Sequence, residues 1–179
     1  MADLHFALPG DAISTEYYDC RFKVLRQPLG FERGAELLPD DSEAIHVWVV
    51  EDGIVIGVGR AHLLTKDKDG SGADIPGKNS ASAPPFGPLK DGGKQFRPAI
   101  QIRQMGTREG YRRRGIAGLI LSKLEELSSI YFEATFGFLQ AREVAYDFYE
   151  SQGWQKIDSE YTIGKIGPHN SMMKRLNKT

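Results

Sequence analysis

The part of this sequence best suited to chemistry is a group of positively charged side chains beside a glycine: Arg108, Arg112, Arg113, Arg114 and Gly115. Guanidinium groups bind phosphate oxygens through paired, charge-assisted hydrogen bonds. A glycine at the start of a helix lets a ligand approach the backbone closely, and the helix dipole adds positive charge at that point. These residues therefore predict a site for a phosphate or a diphosphate.

A strand and a helix flank this group and would hold it in place. Residues 99–105 alternate apolar and polar side chains, which is typical of a half-buried strand. After the glycine, apolar side chains recur at helical spacing while charged side chains take the positions between them. The apolar set is Ile116, Ala117, Ile120, Leu121, Leu124 and Leu127. We therefore expect a strand, a glycine-bearing turn and a helix in succession.

The same residues match a known short pattern of an arginine, two residues, a glycine, one residue and a small residue. Arg112, Gly115 and Ala117 fill its fixed positions. The pattern resembles the acetyl-CoA signature Gln/Arg-x-x-Gly-x-Gly/Ala of the GCN5-related N-acetyltransferase (GNAT) superfamily. A later segment, Gly167-Pro168-His169 followed by two methionines and a lysine, also resembles this superfamily. It is similar to the final strand of one acetyltransferase branch.

A second stretch, residues 140–154, resembles a later helix of that family, which reads Asn-Ala, several residues, Phe-Tyr, three residues and Gly-Phe. We predict a helix there that ends at Gly153 in a left-handed conformation. Its apolar face would comprise Ala141, Ala145 and Phe148. Residues 131–139 are predicted to form the preceding strand. The resemblance then spans about residues 15–175, nearly the whole chain.

The resemblance implies a single α/β domain of the α+β type over residues 1–179, with a central, mixed and mostly antiparallel sheet flanked by helices. Residues 45–50 and 54–61 predict a hairpin, because an Asp-Gly pair between them favours a tight turn. Ser14 is predicted to cap the first helix. Residues 65–97 are rich in Gly, Ser, Pro, Asp and Lys, and they predict a long, flexible loop, with a substrate-facing lid as the alternative.

Composition limits the classes of protein to consider. A chain of 179 residues with 40% hydrophobic content is long enough for one buried core. The net charge of -1 gives no general footprint for nucleic acid. A single cysteine, no signal-peptide pattern and no apolar run of membrane-spanning length predict a cytoplasmic protein without a membrane partner. No Cys and His spacing suggests a metal site.

By resemblance, the protein is expected to move an acetyl group from acetyl-CoA to a primary amine by direct transfer in a ternary complex. The acceptor would be a small molecule or a peptide, and a homodimer is an open alternative. Backbone groups at the end of the strand would bind the pantetheine arm and the acetyl carbonyl. The expected acetyl-CoA contacts are Met105, Gly106, Thr107, Arg112, Arg113, Arg114, Gly115, Ile116, Ala117 and Gln140.

Acetyl transfer also needs an acid and a base. Tyr149 matches the tyrosine that the family commonly uses as the general acid toward the departing sulfur, and a phenol holds its proton at neutral pH. The predicted strand before the acetyl-CoA signature, residues 99–105, carries no carboxylate that could act as a base. His169 is the best remaining base or acceptor contact, because imidazole titrates near neutrality. His46 and Glu133 are further candidates for the base.

Three other interpretations stay open. The arginines could instead grip a nucleic-acid backbone, or they could form a solvated surface with no ligand. The lack of an obvious base also leaves a non-catalytic module that binds acyl-CoA as a sensor or scaffold. Such a module would bind acetyl-CoA yet release no thiol with any amine.

Overall fold

The strands of the chain form one mixed sheet with helices on its faces. This is seen in a computed structural model that describes residues 1–73, 82–164 and 166–177. Within those residues the sheet has the strand order β1-β2-β3-β4-β5-β8-β6, and β7 also pairs with β8. The strands are β1 (Ala2–Ala7), β2 (Ile45–Glu51), β3 (Ile54–Leu64), β4 (Ala99–Thr107), β5 (Phe136–Arg142), β6 (Gln155–Lys156), β7 (Tyr161–Ile163) and β8 (Gly167–Arg175). The helices are α1 (Thr15–Leu25), α2 (Ile116–Tyr131) and α3 (Tyr146–Ser151).

The residues of this α/β domain fall into two compact units. Met1–His62 and Ile102–Leu127 form the first unit, and Leu63–Gln101 and Ser128–Thr179 form the second. In the described part of the chain, no helix is both long and apolar enough to cross a membrane.

In the first unit, β1, β2 and β3 are antiparallel neighbours. The hairpin between β2 and β3 confirms the predicted Asp-Gly turn, in which Asp52 and Gly53 have φ values of 49° and 75°. Two positive φ values in succession are the geometry that joins twisted antiparallel strands tightly. Ser14 caps α1 as predicted, since its hydroxyl accepts a hydrogen bond of 3.3 Å from the Tyr17 amide.

Helix α2 begins close to the backbone of β3, and two glycines allow this approach. A Cβ atom at Gly57 would lie 2.7 Å from Ile116 Cγ2, and one at Gly59 would lie 2.5 Å from Ile120 Cγ2. Such distances are too short for real side-chain contacts, so no larger residue fits without movement. The glycines of β3 therefore fix where the first turns of α2 lie.

A buried network of charged and polar side chains links α1, β2, β3 and the segment before β2. Asp41 accepts two hydrogen bonds from Arg21, of 2.9 and 3.0 Å, and one of 3.2 Å from Arg60. Both arginines are at least 99% buried. Arg21 also donates a hydrogen bond of 2.8 Å to the Tyr17 hydroxyl. Asp41 thus pairs with both guanidinium groups, and Asp40 forms a second ion pair of 2.7 Å with Arg60.

We expect Asp41→Ala to lower the free energy of unfolding by about 3–5 kcal/mol, because it removes the carboxylate that pairs with the buried Arg21 charge. Urea denaturation monitored by circular dichroism measures this change. Glu126→Ala is the matched control, since Glu126 pairs with Lys123 at 2.9 Å on the exposed face of α2. The control should cost no more than about 1 kcal/mol. Equal effects of the two substitutions would contradict the proposed role of Asp41.

In the second unit, β4 and β5 are parallel, and β5 is antiparallel to β8. Here several local predictions were wrong. Tyr131 ends α2, and β5 begins only at Phe136, so the predicted strand over 131–139 starts too early. Ala141 lies in β5 rather than in a helix, because β5 pairs with β8 as far as Arg142. The helix that follows is short, although Gly153 has the predicted left-handed φ of 87°.

The long segment 65–97 is predicted from sequence to be a loop, and residues 74–81 of that prediction lie outside the described residues. Among the others, Phe86 is fully buried and its ring packs 5.1 Å from that of Phe138 on β5. Short 3₁₀ helices occupy Gly87–Gly92 and Lys94–Phe96. The side chain of Arg97 donates hydrogen bonds to four backbone carbonyls of this segment and of the end of β3. The described part of the segment is therefore packed against its own unit.

Candidate functional site

The end of β4 is irregular at the predicted site. Gln104 has a φ of 57°, an unusual left-handed conformation within a strand. The ladder between β4 and β5 covers Ala99 to Gln101 on β4. Met105, Gly106 and Thr107 complete β4 beyond that irregularity. A Cβ atom at Gly106 would lie 2.7 Å from Val24 Cγ2 of α1, so the chain passes close to α1 at this glycine.

The turn from β4 into α2 has the geometry of an anion-binding loop. Arg113 and Gly115 have φ values of 60° and 79°. A Cβ atom at Gly115 would meet no described heavy atom within 4 Å, so the space beside this glycine is open. The Gly115 carbonyl accepts a hydrogen bond of 3.1 Å from the Leu119 amide, which places the glycine at the helix start. The first amides of α2 have no acceptor within their own helix.

Two further predicted contacts, Ile116 and Ala117, form the first turn of α2. The Ile116 side chain is 4% exposed and packs over Gly57. Any contact between Ile116 and a ligand would therefore be made by its backbone. Ala117 is partly exposed, and its small side chain leaves the surface of the turn uncrowded.

The four arginines of the group have different partners. Arg108 donates a hydrogen bond of 2.7 Å to the Val55 carbonyl of β3, so its role is structural. Arg114 forms a bidentate ion pair with Glu51, with distances of 2.6 and 2.9 Å. Arg112 and Arg113 are exposed, and Arg112 has a long hydrogen bond of 3.5 Å to the Thr107 carbonyl. Sequence reasoning missed Glu51 because it lies 63 residues away from its partner.

Gln140 lies on β5, where its side chain joins two other parts of the second unit. It accepts a hydrogen bond of 2.7 Å from Gln101 Nε2 and donates one of 3.0 Å to the Gly70 carbonyl. A Cβ atom at Gly70 would clash with the ring of Phe86, so the segment runs close to that aromatic side chain. The Gln140 carboxamide thus fastens the long segment to the sheet, and its assignment to acetyl-CoA remains a prediction.

Tyr149 lies in α3, and its side chain is almost fully buried. Its ring is 6.3 Å from that of Trp154, and Trp154 Cη2 lies 2.7 Å from where a Cβ atom of Gly137 would be. These contacts place Tyr149 on the face of β5 toward which a side chain at Gly137 would point. Burial raises the pKa of Tyr149 above its usual value. The phenol therefore stays protonated at every pH at which a histidine titrates.

His169 lies on β8 and is 5% exposed. Its Nδ1 is 2.8 Å from the Gly167 carbonyl, which only accepts hydrogen bonds, so Nδ1 carries the hydrogen and Nε2 keeps a lone pair. Burial lowers the pKa of His169, and the charge of Arg142 lowers it further. A neutral imidazole with a free lone pair on Nε2 is the form in which histidine acts as a base.

The two other candidate bases lie in surroundings that do not favour this role. His46 Nε2 donates to the Asp41 carbonyl at 2.7 Å, and its Nδ1 faces the Tyr17 hydroxyl at 2.9 Å. Burial lowers the pKa of His46 to about 4, and it belongs to the buried charged network of the first unit. Glu133 is exposed in the turn between α2 and β5, with a φ of 52°, rather than on a strand.

The structure therefore groups the predicted residues in two sets, one in each unit. Those from Met105 to Ala117 form one continuous strand, turn and helix start. Gln140 and His169 share one face of β5 and β8, and Tyr149 packs on the other face. In residues 1–73, 82–164 and 166–177, no group of three or more His, Cys, Asp or Glu side chains could hold a metal ion.

No protein-family model matches this sequence, and no curated protein matches it either. Solved structures do match the fold. An acyl-CoA N-acyltransferase from Pseudomonas aeruginosa superposes with a TM-score of 0.64 at 12% identity, covering 97% of this chain and 99% of that one. Arabidopsis thaliana NAA60, in complex with a bisubstrate analogue, superposes with a TM-score of 0.63 at 15% identity, covering 99% and 100%.

A third match is an aminoglycoside 6'-N-acetyltransferase complexed with coenzyme A, with a TM-score of 0.61 at 14% identity over 98% of both chains. At these identities the likeness establishes the fold. It confirms the α/β architecture that the motifs implied, including the mixed sheet flanked by helices.

Proposed function

We propose, for a chain with the fold of the GCN5-related N-acetyltransferases, that this protein transfers an acetyl group from acetyl-CoA to a primary amine. The observation that carries the proposal is the turn before α2. Gly115 leaves open space at the helix start, and the exposed Arg112 and Arg113 stand beside it. Free amides, a helix dipole and two guanidinium groups together favour a diphosphate.

Acetyl-CoA fits this turn because it carries a diphosphate and a further phosphate on its ribose. Arg112 and Arg113 would supply charge to these groups, while the amides of Ile116 and Ala117 would bind diphosphate oxygens. Arg114 would have to leave Glu51 in order to contact a phosphate, so we expect it to contribute less than its two neighbours. Met105, Gly106 and Thr107 would contact the pantetheine arm through their backbone.

The reaction forms a C–N bond and breaks a C–S bond in one ternary complex. The neutral amine attacks the thioester carbonyl, and the His169 Nε2 lone pair takes the proton that the nitrogen loses. The Tyr149 hydroxyl hydrogen goes to the departing sulfur, so that CoA leaves as a thiol. Because His169 and Tyr149 lie on opposite faces of the sheet, the thioester would lie at the edge of β5 beyond Phe138, where the ladder with β4 has ended and both faces are within reach. The acceptor would be a small-molecule or peptide amine.

The role of His169 predicts a pH dependence with a definite sign. Because the pKa of His169 is lowered and the neutral form is the base, kcat/KM should fall with decreasing pH through a pKa below 6.5. His169→Gln should remove this limb of the pH profile and lower the plateau roughly 100-fold. A variant that keeps the wild-type limb would show that another group titrates. Far-ultraviolet circular dichroism controls for folding.

The proposed function is tested by two measurements on the wild-type protein. Calorimetric titration with acetyl-CoA tests binding, and thiol release in the presence of a panel of primary amines tests transfer. Binding together with amine-dependent thiol release supports the enzyme. Binding without thiol release from any amine would instead indicate an acyl-CoA sensor or scaffold. A protein that binds neither acetyl-CoA nor CoA would contradict both functions.

A further inference from the structure

Three side chains form a row across β7, β8 and β5 in the second unit. His169 pairs with Tyr161 on one side and with Arg142 on the other. Side chains of directly paired residues lie on the same face of a sheet, so the three share one face. The rings of Tyr161 and His169 are stacked, with an interplanar angle of 19° and centroids 6.4 Å apart.

The same face continues as a polar surface beside this row. Gln140 lies two residues before Arg142 on β5, and Ser171 lies two residues after His169 on β8. The Tyr161 hydroxyl is 2.9 Å from Ser171 Oγ. Phe138, further back along the same face of β5, is covered by Phe86. The face therefore changes from a covered apolar part to a polar part that ends at the exposed Arg142.

Arg142 is the charged group of this polar face, and its charge has no described counterion. The nearest acidic residue along the chain, Glu143, forms no ion pair with it among the described residues. Glu160, which precedes β7, accepts a hydrogen bond of 3.2 Å from the Tyr146 hydroxyl instead. The Arg142 guanidinium carries a permanent positive charge and five hydrogen-bond donors in a planar fork.

We propose that Arg142 binds a carboxylate of the acceptor and thereby positions the acceptor amine at His169. This inference rests on the proposed function, because it gives His169 the role of the base. A carboxylate matches the guanidinium fork with two parallel hydrogen bonds, which fix the direction of the acceptor as well as its affinity. Arg142 and His169 are direct cross-strand neighbours, so an amino acid with a short chain between amine and carboxylate spans them.

The arrangement also explains why a positive charge stands next to a base. Arg142 helps to keep His169 neutral, because the charge disfavours the imidazolium form. The same charge would repel an acceptor that has a second cationic group at this point. The Arg142 side chain therefore attracts acceptors with a carboxylate and disfavours diamines.

The test compares ω-amino acids with their primary amides as acceptors at saturating acetyl-CoA. The series is glycine, β-alanine, 4-aminobutyrate and 5-aminopentanoate, and thiol release gives kcat and KM for each. For at least one chain length, we expect wild-type kcat/KM to be roughly 10- to 100-fold higher for the acid than for the amide, the scale of a charge-assisted hydrogen bond. The difference should lie mainly in KM.

Two variants at this position and one matched control make the test specific. Arg142→Gln should remove the preference for acids, so that each acid and its amide have equal kcat/KM. Arg142→Glu should reverse the preference in favour of diamines of the same length. Arg175→Gln is the control, since Arg175 is exposed on the same face at the other end of β8. It should leave the preference intact.

The inference is overturned if wild-type protein uses acids and amides equally, if it uses none of the series, or if Arg142→Gln keeps the preference. None of these results contradicts the proposed function as long as acetyl-CoA binds and other amines are acetylated. Failure to bind acetyl-CoA removes both proposals together.

A second readout does not depend on turnover. The pKa of the His169 imidazole can be followed by NMR, and it should rise in Arg142→Gln because a neighbouring positive charge is lost. Saturating the wild-type protein with the preferred acid in its N-acetylated form should raise the same pKa, and the corresponding amide should not. An unchanged His169 pKa under both conditions would contradict the contact between Arg142 and the carboxylate.

Discussion

Replacing Tyr149 by phenylalanine is expected to lower kcat at least 100-fold while the affinity for acetyl-CoA stays within a factor of about two. The substitution removes only the hydroxyl. The phenyl ring would keep its packing against Trp154 and Phe148, so the fold should be preserved. Without the hydroxyl, the sulfur would have to leave as an unprotonated thiolate.

Two measurements separate this role from a loss of packing. Calorimetry with acetyl-CoA reports on binding, and thiol release at saturating acceptor reports on kcat. Tyr146→Phe is the matched control, because it also removes a hydroxyl from α3. The Tyr146 hydroxyl donates its hydrogen bond to Glu160. That variant should keep wild-type turnover. An unchanged kcat in Tyr149→Phe would remove Tyr149 from the mechanism and leave it as a packed aromatic side chain.

The raised pKa of Tyr149 predicts the alkaline side of the pH profile of kcat. Since burial disfavours the tyrosinate, loss of activity from tyrosine ionisation should begin only above pH 10. The limb on the acid side should belong to His169, whose pKa lies below 6.5. Wild-type protein should therefore have a broad plateau between these limits. An alkaline limb near pH 8 would point to a different acid.

Local signals predicted the elements whose determinants are close together in the sequence. The Asp-Gly pair predicted the hairpin of β2 and β3, because two positive φ values are intrinsic to that turn. Ser14 predicted the start of α1 through its own capping bond. The alternation over 99–105 and the helical spacing after Gly115 predicted β4 and α2.

Elements that depend on distant partners were predicted poorly. Ala141 fits a helical spacing with Ala145 and Phe148, yet pairing with Asn170 on β8 holds it in a strand. Short apolar runs are ambiguous between strand and helix, and the partner strand decides between them. The strand β1 was missed for a similar reason, since its pairing with β2 outweighs a mostly exposed sequence.

The candidate site shows the same division. The glycine and arginines of the turn before α2 are adjacent in sequence, so their chemistry could be recognised at once. The side chains that pair with these arginines are distant in sequence, such as Glu51, which forms an ion pair with Arg114. Gly57 and Gly59 position α2, and their only signal is a Gly-x-Gly spacing within an otherwise apolar strand. Arg142 was overlooked because it becomes a neighbour of His169 only when β5 and β8 pair.

Gly115→Glu is expected to abolish measurable binding of acetyl-CoA in a calorimetric titration. The open space beside this glycine is where the diphosphate would lie, and a glutamate would place both bulk and negative charge there. The diphosphate would lose its contact with the start of α2 and would be repelled by the glutamate, and both effects lower the affinity for acetyl-CoA. We therefore expect affinity to fall by more than about 100-fold, equivalent to roughly 3 kcal/mol.

The substitution also strains the backbone, because Gly115 has a φ of 79°. Gly30→Glu is a matched control, since Gly30 has a φ of 78° and equally open surroundings but lies after α1. Both variants should lose similar stability, by about 1 kcal/mol in urea denaturation. Only Gly115→Glu should lose acetyl-CoA. Equal binding by the two variants would place the acetyl-CoA diphosphate elsewhere, and the arginines beside Gly115 would then be a surface group without this ligand.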